Sequence, residues 1–224
     1  MNCTEKVFEY ENGKMNYAVY TPEKYEDLPL MVYLHGAGER GLNISHLTRH
    51  GIPKLISEGK EFPAVILTPQ CPADRVWDNM VSQVKQIIDT VAKEYGIKND
   101  RICITGSSMG GFGTWMMGLT YPNFFSAIGP IAGGGMSWRT SKLKNTPVFA
   151  VHGDKDSCVP YCYSQLMIEA VNRNGGNAIL KAAEGFEHND GIDYAYRSTE
   201  LIQWLLSQRR TDFQSIEEPF SHLF

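Results

Sequence analysis

Short apolar runs alternate along the chain with amphipathic stretches. The first segments, Val7–Glu11 and Asn16–Tyr20, flank Asn12-Gly13 and predict a hairpin. The runs Leu30–Leu34, Ala64–Thr68, Arg101–Thr105, Ala127–Ile131, Val148–Val151 and Ala178–Ala182 follow. Their hydrophobicity is continuous rather than alternating, which suits strands covered on both faces of a parallel sheet. Between them, Met80–Tyr95 sets Val84, Ile87, Ile88 and Val91 on one helical stripe and stops at Gly96. Helical patterns also cover Gly111–Leu119, Tyr163–Asn174 and Ile192–Ser207. Repeated strand–turn–helix units predict an α/β fold: a doubly wound, mostly parallel sheet with right-handed crossovers and an N-terminal antiparallel hairpin. No repeat or linker divides residues 1–224, so one domain is expected, with 208–224 as a C-terminal tail that either docks on the body or contacts a partner.

Composition narrows the function classes. The 224 residues carry 21 Lys+Arg against 25 Asp+Glu, a net charge of −4 that gives no electrostatic drive toward nucleic acid or an anionic membrane. No apolar run nears the length of a membrane span, and MNCTEKVFEYENGK lacks the apolar core of a signal peptide. A cytoplasmic setting is therefore expected, although a trimmed secreted chain would read the same way. Five cysteines (Cys3, Cys71, Cys103, Cys158 and Cys162) form no disulfide or zinc pattern; Cys158 and Cys162 could meet on one helical turn, but buried free thiols are expected of them. His46 and His50 stand four apart but lack a third ligand, so a polar turn is expected there, with no metal or other cofactor. Oligomeric state leaves no trace in the sequence.

Gly106-Ser107-Ser108-Met109-Gly110 lies directly between a buried strand and a helix. In that context G-x-S-x-G builds a sharp elbow that projects Ser108, with the Met109 N–H aimed where an oxyanion would form. A serine hydroxyl needs a base and an orienting acid, which in this architecture follow in the order acid, then histidine. Val148–Val151 leads into a loop with Asp154 and Asp156, and Ala178–Ala182 leads into Gly185-Phe186-Glu187-His188. Of the six histidines only His188 sits on a loop just past the last strand. After Leu30–Leu34, His35-Gly36-Ala37-Gly38-Glu39-Arg40-Gly41 exposes backbone N–H groups for the second half of an oxyanion hole. It matches neither a P-loop nor a dinucleotide fingerprint. Glu39 and Arg40 are expected to pair and hold this loop, the other reading being Arg40 on a substrate carboxylate.

These residues resemble the α/β-hydrolase superfamily, and within it the small serine esterase branch of feruloyl-esterase-like, polyhydroxybutyrate-depolymerase-like and predicted peptidase-like proteins. His152-Gly153 and Val159-Pro160 match that branch's acid loop, which implies Asp156 as the acid and leaves Asp154 to cap the turn. The resemblance implies Ala37 N–H as the second oxyanion donor, with Gly38 as the fallback. It extends through Thr68-Pro69-Gln70-Cys71-Pro72, Tyr121-Pro122 and Gly133-Gly134-Gly135, from about Leu30 to about Leu206. Trp77 and Trp138 are candidate substrate contacts, ordinary packing or surface roles being the alternative. Only a short segment separates Gly135 from Val148, where many relatives insert a lid, so an open site for short or soluble esters is expected.

The expected activity is carboxylic ester hydrolysis on a small-molecule or carbohydrate-linked ester. Acyl or feruloyl groups enter through the resemblance alone. Two other readings stand beside it: a small serine peptidase, and a non-catalytic binding protein that keeps the fold.

Overall fold

Every strand of the computed structural model, which describes residues 1–11 and 13–212, belongs to one eight-stranded sheet. The strands are β1 (Asn2–Tyr10), β2 (Gly13–Thr21), β3 (Leu30–Leu34), β4 (Val65–Pro69), β5 (Ile102–Ser107), β6 (Ala127–Ile131), β7 (Val148–Gly153) and β8 (Ala178–Ala183). Their spatial order is β1-β2-β4-β3-β5-β6-β7-β8. The hairpin β1–β2 and the pair β2–β4 are antiparallel, and all the other pairs are parallel. The hairpin is longer than the sequence pattern predicts, running from Asn2↔Thr21 to Tyr10↔Gly13. β1 is an edge strand with one mostly exposed face, so hydrophobicity marks only part of it.

The helices are α1 (Gly51–Ser57), α2 (Val81–Glu94), α3 (Met109–Thr120), α4 (Cys162–Arg173), α5 (His188–Ser198) and α6 (Leu201–Ser207). Alternate residues of each central strand serve opposite layers. Leu30, Val32 and Leu34 join Val84, Ile87, Ile88, Trp115 and Met167 on one face. Met31 and Tyr33 join Ile52, Leu55, Ile192, Tyr196, Leu201 and Leu205 on the other. Each large apolar side chain buried this way is worth about 1.5–3 kcal/mol, so both faces must be covered. This is the α/β-hydrolase architecture. No helix among the described residues is long and apolar enough to cross a membrane.

One helical expectation is revised, and one helix is new. The stretch expected as Ile192–Ser207 begins at His188 and divides into α5 and α6. At the break, the Thr199 hydroxyl donates to Ala195 O (2.6 Å) and accepts from Leu201 N (3.2 Å), closing one helix and opening the next. α1 has no counterpart in the sequence reading, because seven residues containing Pro53 carry too little periodicity.

Of the tail, residues 208–212 are described, and Arg210 docks on the body. Its guanidinium donates to Phe125 O (2.6 Å), Thr146 Oγ1 (3.2 Å) and Asn123 Oδ1 (3.1 Å), and pairs with Asp212 (2.6 Å). The remainder of the tail, His222 included, lies outside the described residues.

Candidate active site

β3 and β5 lie side by side, yet the chain leaves β3 for β4 on the opposite flank before returning to β5. The loops beyond their carboxyl ends therefore diverge, opening the crevice where sheets of this kind bind ligands. Ser108 sits there between β5 and α3. Its backbone is held at φ 57°, ψ −120°, a strained region for a residue with a side chain. The surrounding contacts maintain the strain: Ser108 N donates to Ile131 O (2.9 Å), and Phe112 N donates to Ser108 O (3.1 Å). Gly110 is required by the same packing, since a Cβ there would lie 1.9 Å from Leu34 O.

The Ser108 hydroxyl donates to His188 Nε2 (2.9 Å), and His188 Nδ1–H donates to Asp156 Oδ2 (2.6 Å). The other Asp156 oxygen accepts from Cys158 N (2.9 Å) and Val159 N (2.7 Å), which fixes the carboxylate plane. Glu187, at the N-cap of α5, accepts from the Ser157 amide (3.0 Å) and hydroxyl (2.9 Å). The loop holding the acid is thereby tied to the helix holding the imidazole. Asp154 adds a second tie by accepting from Gly185 N at 2.7 Å, so it bridges two loops instead of capping its own turn. His188 is not a loop residue, as its position after β8 suggested, but the first residue of α5.

His152 belongs to the same cluster and was passed over in the sequence as part of a loop match. Its Nε2 is 2.8 Å from Val159 O and 3.3 Å from Asp156 Oδ2, and its Nδ1 is 2.7 Å from Ser164 Oγ. Burial pulls the His152 pKa below its ordinary value, although Val159 O and Asp156 partly oppose that. A histidine four residues before the acid was the only signal in the sequence.

The pocket in front of Ser108 has a volume of about 230 Å³ and is lined by Ala37, Gly38, Glu39, His50, His188 and Asn189, among others. Ala37 opens a short 3-10 helix and Met109 opens α3, so neither N–H has a partner within its own helix. Arg40 Nε donates to Ala37 O (3.1 Å) and Arg49 to Gly38 O (3.1 Å), holding the loop by its carbonyls. Arg40 thus supports the loop without Glu39. The Glu39 side chain turns inward, toward His35 and His50, and was not read as a pocket residue.

The two tryptophans stand apart from the pocket. Trp77 is 1% exposed, donates its indole N–H to His35 O (2.9 Å) and packs where a Cβ on Gly113 would fall. It supports the loop from beneath and forms no pocket wall. Trp138 is 78% exposed and lies outside the pocket lining. Cys158 and Cys162 are free, but exposed where burial was expected. No group of three or more His, Cys, Asp or Glu side chains among the described residues is placed to hold a metal.

The profile of the phospholipase/carboxylesterase family matches residues 61–194, more than half of the chain, and the chain belongs to that family. It is 30% identical over 149 residues to a bifunctional acetylxylan esterase/xylanase of Neocallimastix patriciarum, covering 64% of this chain and 22% of that protein. It is 40% identical over 58 residues to poly(3-hydroxyalkanoate) depolymerase C of Paucimonas lemoignei, covering 26% of this chain and 14% of that one. The chain thus spans less than a quarter of either relative. Among solved structures, a thermostable esterase superposes with a TM-score of 0.81 at 27% identity, over 93% of this chain and 63% of that one. A feruloyl esterase module from Clostridium thermocellum, a mutant complexed with sinapinate, superposes with a TM-score of 0.71 at 17% identity, over 92% of this chain and 88% of that one. At that identity the likeness concerns the fold.

Proposed function

We propose that the chain is a serine carboxylic ester hydrolase, with Ser108 as nucleophile, His188 as general base then acid, and Asp156 orienting His188. The observation that carries this reading is the continuous hydrogen-bonded relay from Ser108 through His188 to Asp156 on the strained elbow. His188 Nε2 takes the hydroxyl proton as Ser108 Oγ attacks the ester carbonyl, and the new imidazolium is stabilised by Asp156. The tetrahedral oxyanion is met by the N–H groups of Ala37 and Met109, which are fixed before the reaction and cost no reorganisation. His188 returns the proton to the leaving alcohol. Water, deprotonated by the same nitrogen, then releases the acid from the acyl-enzyme.

A pocket of about 230 Å³ favours a small acyl or alkoxy group. A carbohydrate-linked ester is the substrate class supported by the acetylxylan esterase relative. The same relay would serve a peptidase, and neighbours of that class, acylaminoacyl peptidases, share the fold. A panel of p-nitrophenyl acetate, longer acyl esters, feruloyl esters and a peptide anilide separates the readings. The ester reading expects fast acetate turnover, abolished in Ser108→Ala. Faster specific turnover of the anilide would replace it with the peptidase, and no turnover by folded protein would leave the binding-protein reading.

A further inference from the structure

Glu39 is an unexpected residue in such a pocket. Its side chain is 3% exposed and lines the pocket, and the imidazole nitrogens that flank its carboxylate stand beyond hydrogen-bond distance. His35 Nδ1 is 3.7 Å from one oxygen, and His50 Nε2 is 3.9 Å from the other. His35 is engaged elsewhere: its Nε2 accepts from Cys71 N (2.9 Å), so Nδ1 carries the proton, and Nδ1 lies 2.6 Å from Gly36 O. Burial would push the Glu39 carboxyl up, but the imidazoles of His35 and His50 outweigh it and hold it below the usual carboxylate range.

The carboxylate is also close to the reacting serine. Glu39 Oε2 and Ser108 Cβ lie 3.4 and 3.7 Å from the same point, the place of a Cβ on Gly36. A carboxylate that lines the pocket keeps acceptor positions open to whatever enters it. Beside an oxyanion hole it also opposes the charge that develops in the transition state. A pocket for plain alkyl esters would be better served by an apolar side chain. The arrangement makes sense when an O–H donor enters with the substrate. A cation fits less well, because imidazole nitrogens already flank both carboxylate oxygens.

We propose that Glu39 determines specificity: its carboxylate accepts a hydrogen bond from a hydroxyl borne by the substrate near the ester that Ser108 attacks. The inference rests on the hydrolase reading above and adds a substrate class to it, esters carrying a neighbouring hydroxyl. That hydroxyl comes either from a hydroxyacyl group or from a polyol leaving group.

Two substrate pairs separate those sources: methyl 3-hydroxybutyrate against methyl butyrate, and 2-hydroxyethyl acetate against propyl acetate. A charge-assisted hydrogen bond predicts that kcat/KM favours the hydroxylated member of one pair by about 10–100-fold in the wild type. Glu39→Gln shrinks that preference to a few-fold, and Glu39→Leu brings it near one. Each ratio is taken within one protein preparation, so a smaller folded fraction cancels. Wild-type ratios near one in both pairs, or an unchanged preference in Glu39→Leu, overturn the inference while the hydrolase reading stands. Absence of all ester turnover in the wild type overturns both.

Discussion

His152 Nε2 lies 3.3 Å from Asp156 Oδ2, the same oxygen that accepts from His188 Nδ1 at 2.6 Å. Val159 O, 2.8 Å from His152 Nε2, is purely an acceptor, so Nε2 carries the proton. In the neutral ring Nδ1 is then an acceptor 2.7 Å from the Ser164 hydroxyl, whose single proton is shared between it and Gly133 O at 3.0 Å. His152 therefore presents an N–H to both Val159 and Asp156, bracing the acid that faces His188.

In the proposed mechanism His152 is a positioning residue. His152→Phe removes the Nε2–H and is expected to lower kcat by about 10–100-fold, the worth of one hydrogen bond to a charged group. His152→Gln, which places an N–H near the same point, recovers part of the loss. Rates per active site, counted by fluorophosphonate titration, check this. A Phe variant with wild-type kcat contradicts it.

Acid stability has two expected stages. His152 is held neutral in the fold, so its contribution is complete above the ordinary value of 6.5 and is lost as pH falls from there to its depressed value. Glu39 is held ionised, so its contribution is complete above 4.5 and is lost as pH falls through its lowered value. Thermal melting from pH 8 to 3 reads both stages. His152→Gln flattens the first and Glu39→Gln the second. Unchanged profiles in both variants contradict the assignment.

Gly110→Ala would drive a methyl group into Leu34 O, where strand and helix backbones cannot part without opening the elbow. Overpacking against backbone predicts a loss of at least about 1–3 kcal/mol, or failure to fold. Urea unfolding measures it. Stability equal to the wild type contradicts the close approach.

Arg210→Ala leaves the Phe125 carbonyl and Asp212 without their buried partner. The expected cost is about 2–4 kcal/mol in urea unfolding, with kcat per active site retained because Arg210 lies outside the pocket lining. A loss below about 0.5 kcal/mol, the usual size of a surface change, would show that the tail is not held there.

The central strands were legible because burial on both faces leaves unbroken apolar runs, as in Leu30–Leu34. Ser108 was legible because the elbow requires glycines at fixed spacing. What escaped the sequence depends on direction in space. Glu39 and Arg40 are adjacent opposite charges, and only the loop's conformation sends one inward and the other to carbonyl oxygens. Trp77 could wall a pocket or support one from beneath, and its bond to His35 O settles that. The acid-loop match contained His152, but nothing in one dimension shows that its ring reaches Asp156.

The most direct test of the account is labelling with a fluorophosphonate probe, followed by mass spectrometry of the modified peptide. One probe per chain on Ser108 is predicted in the wild type, with none in folded Ser108→Ala and strongly slowed labelling in His188→Ala. Folded wild-type protein that takes up no probe, or takes it up at a residue other than Ser108, would contradict the account.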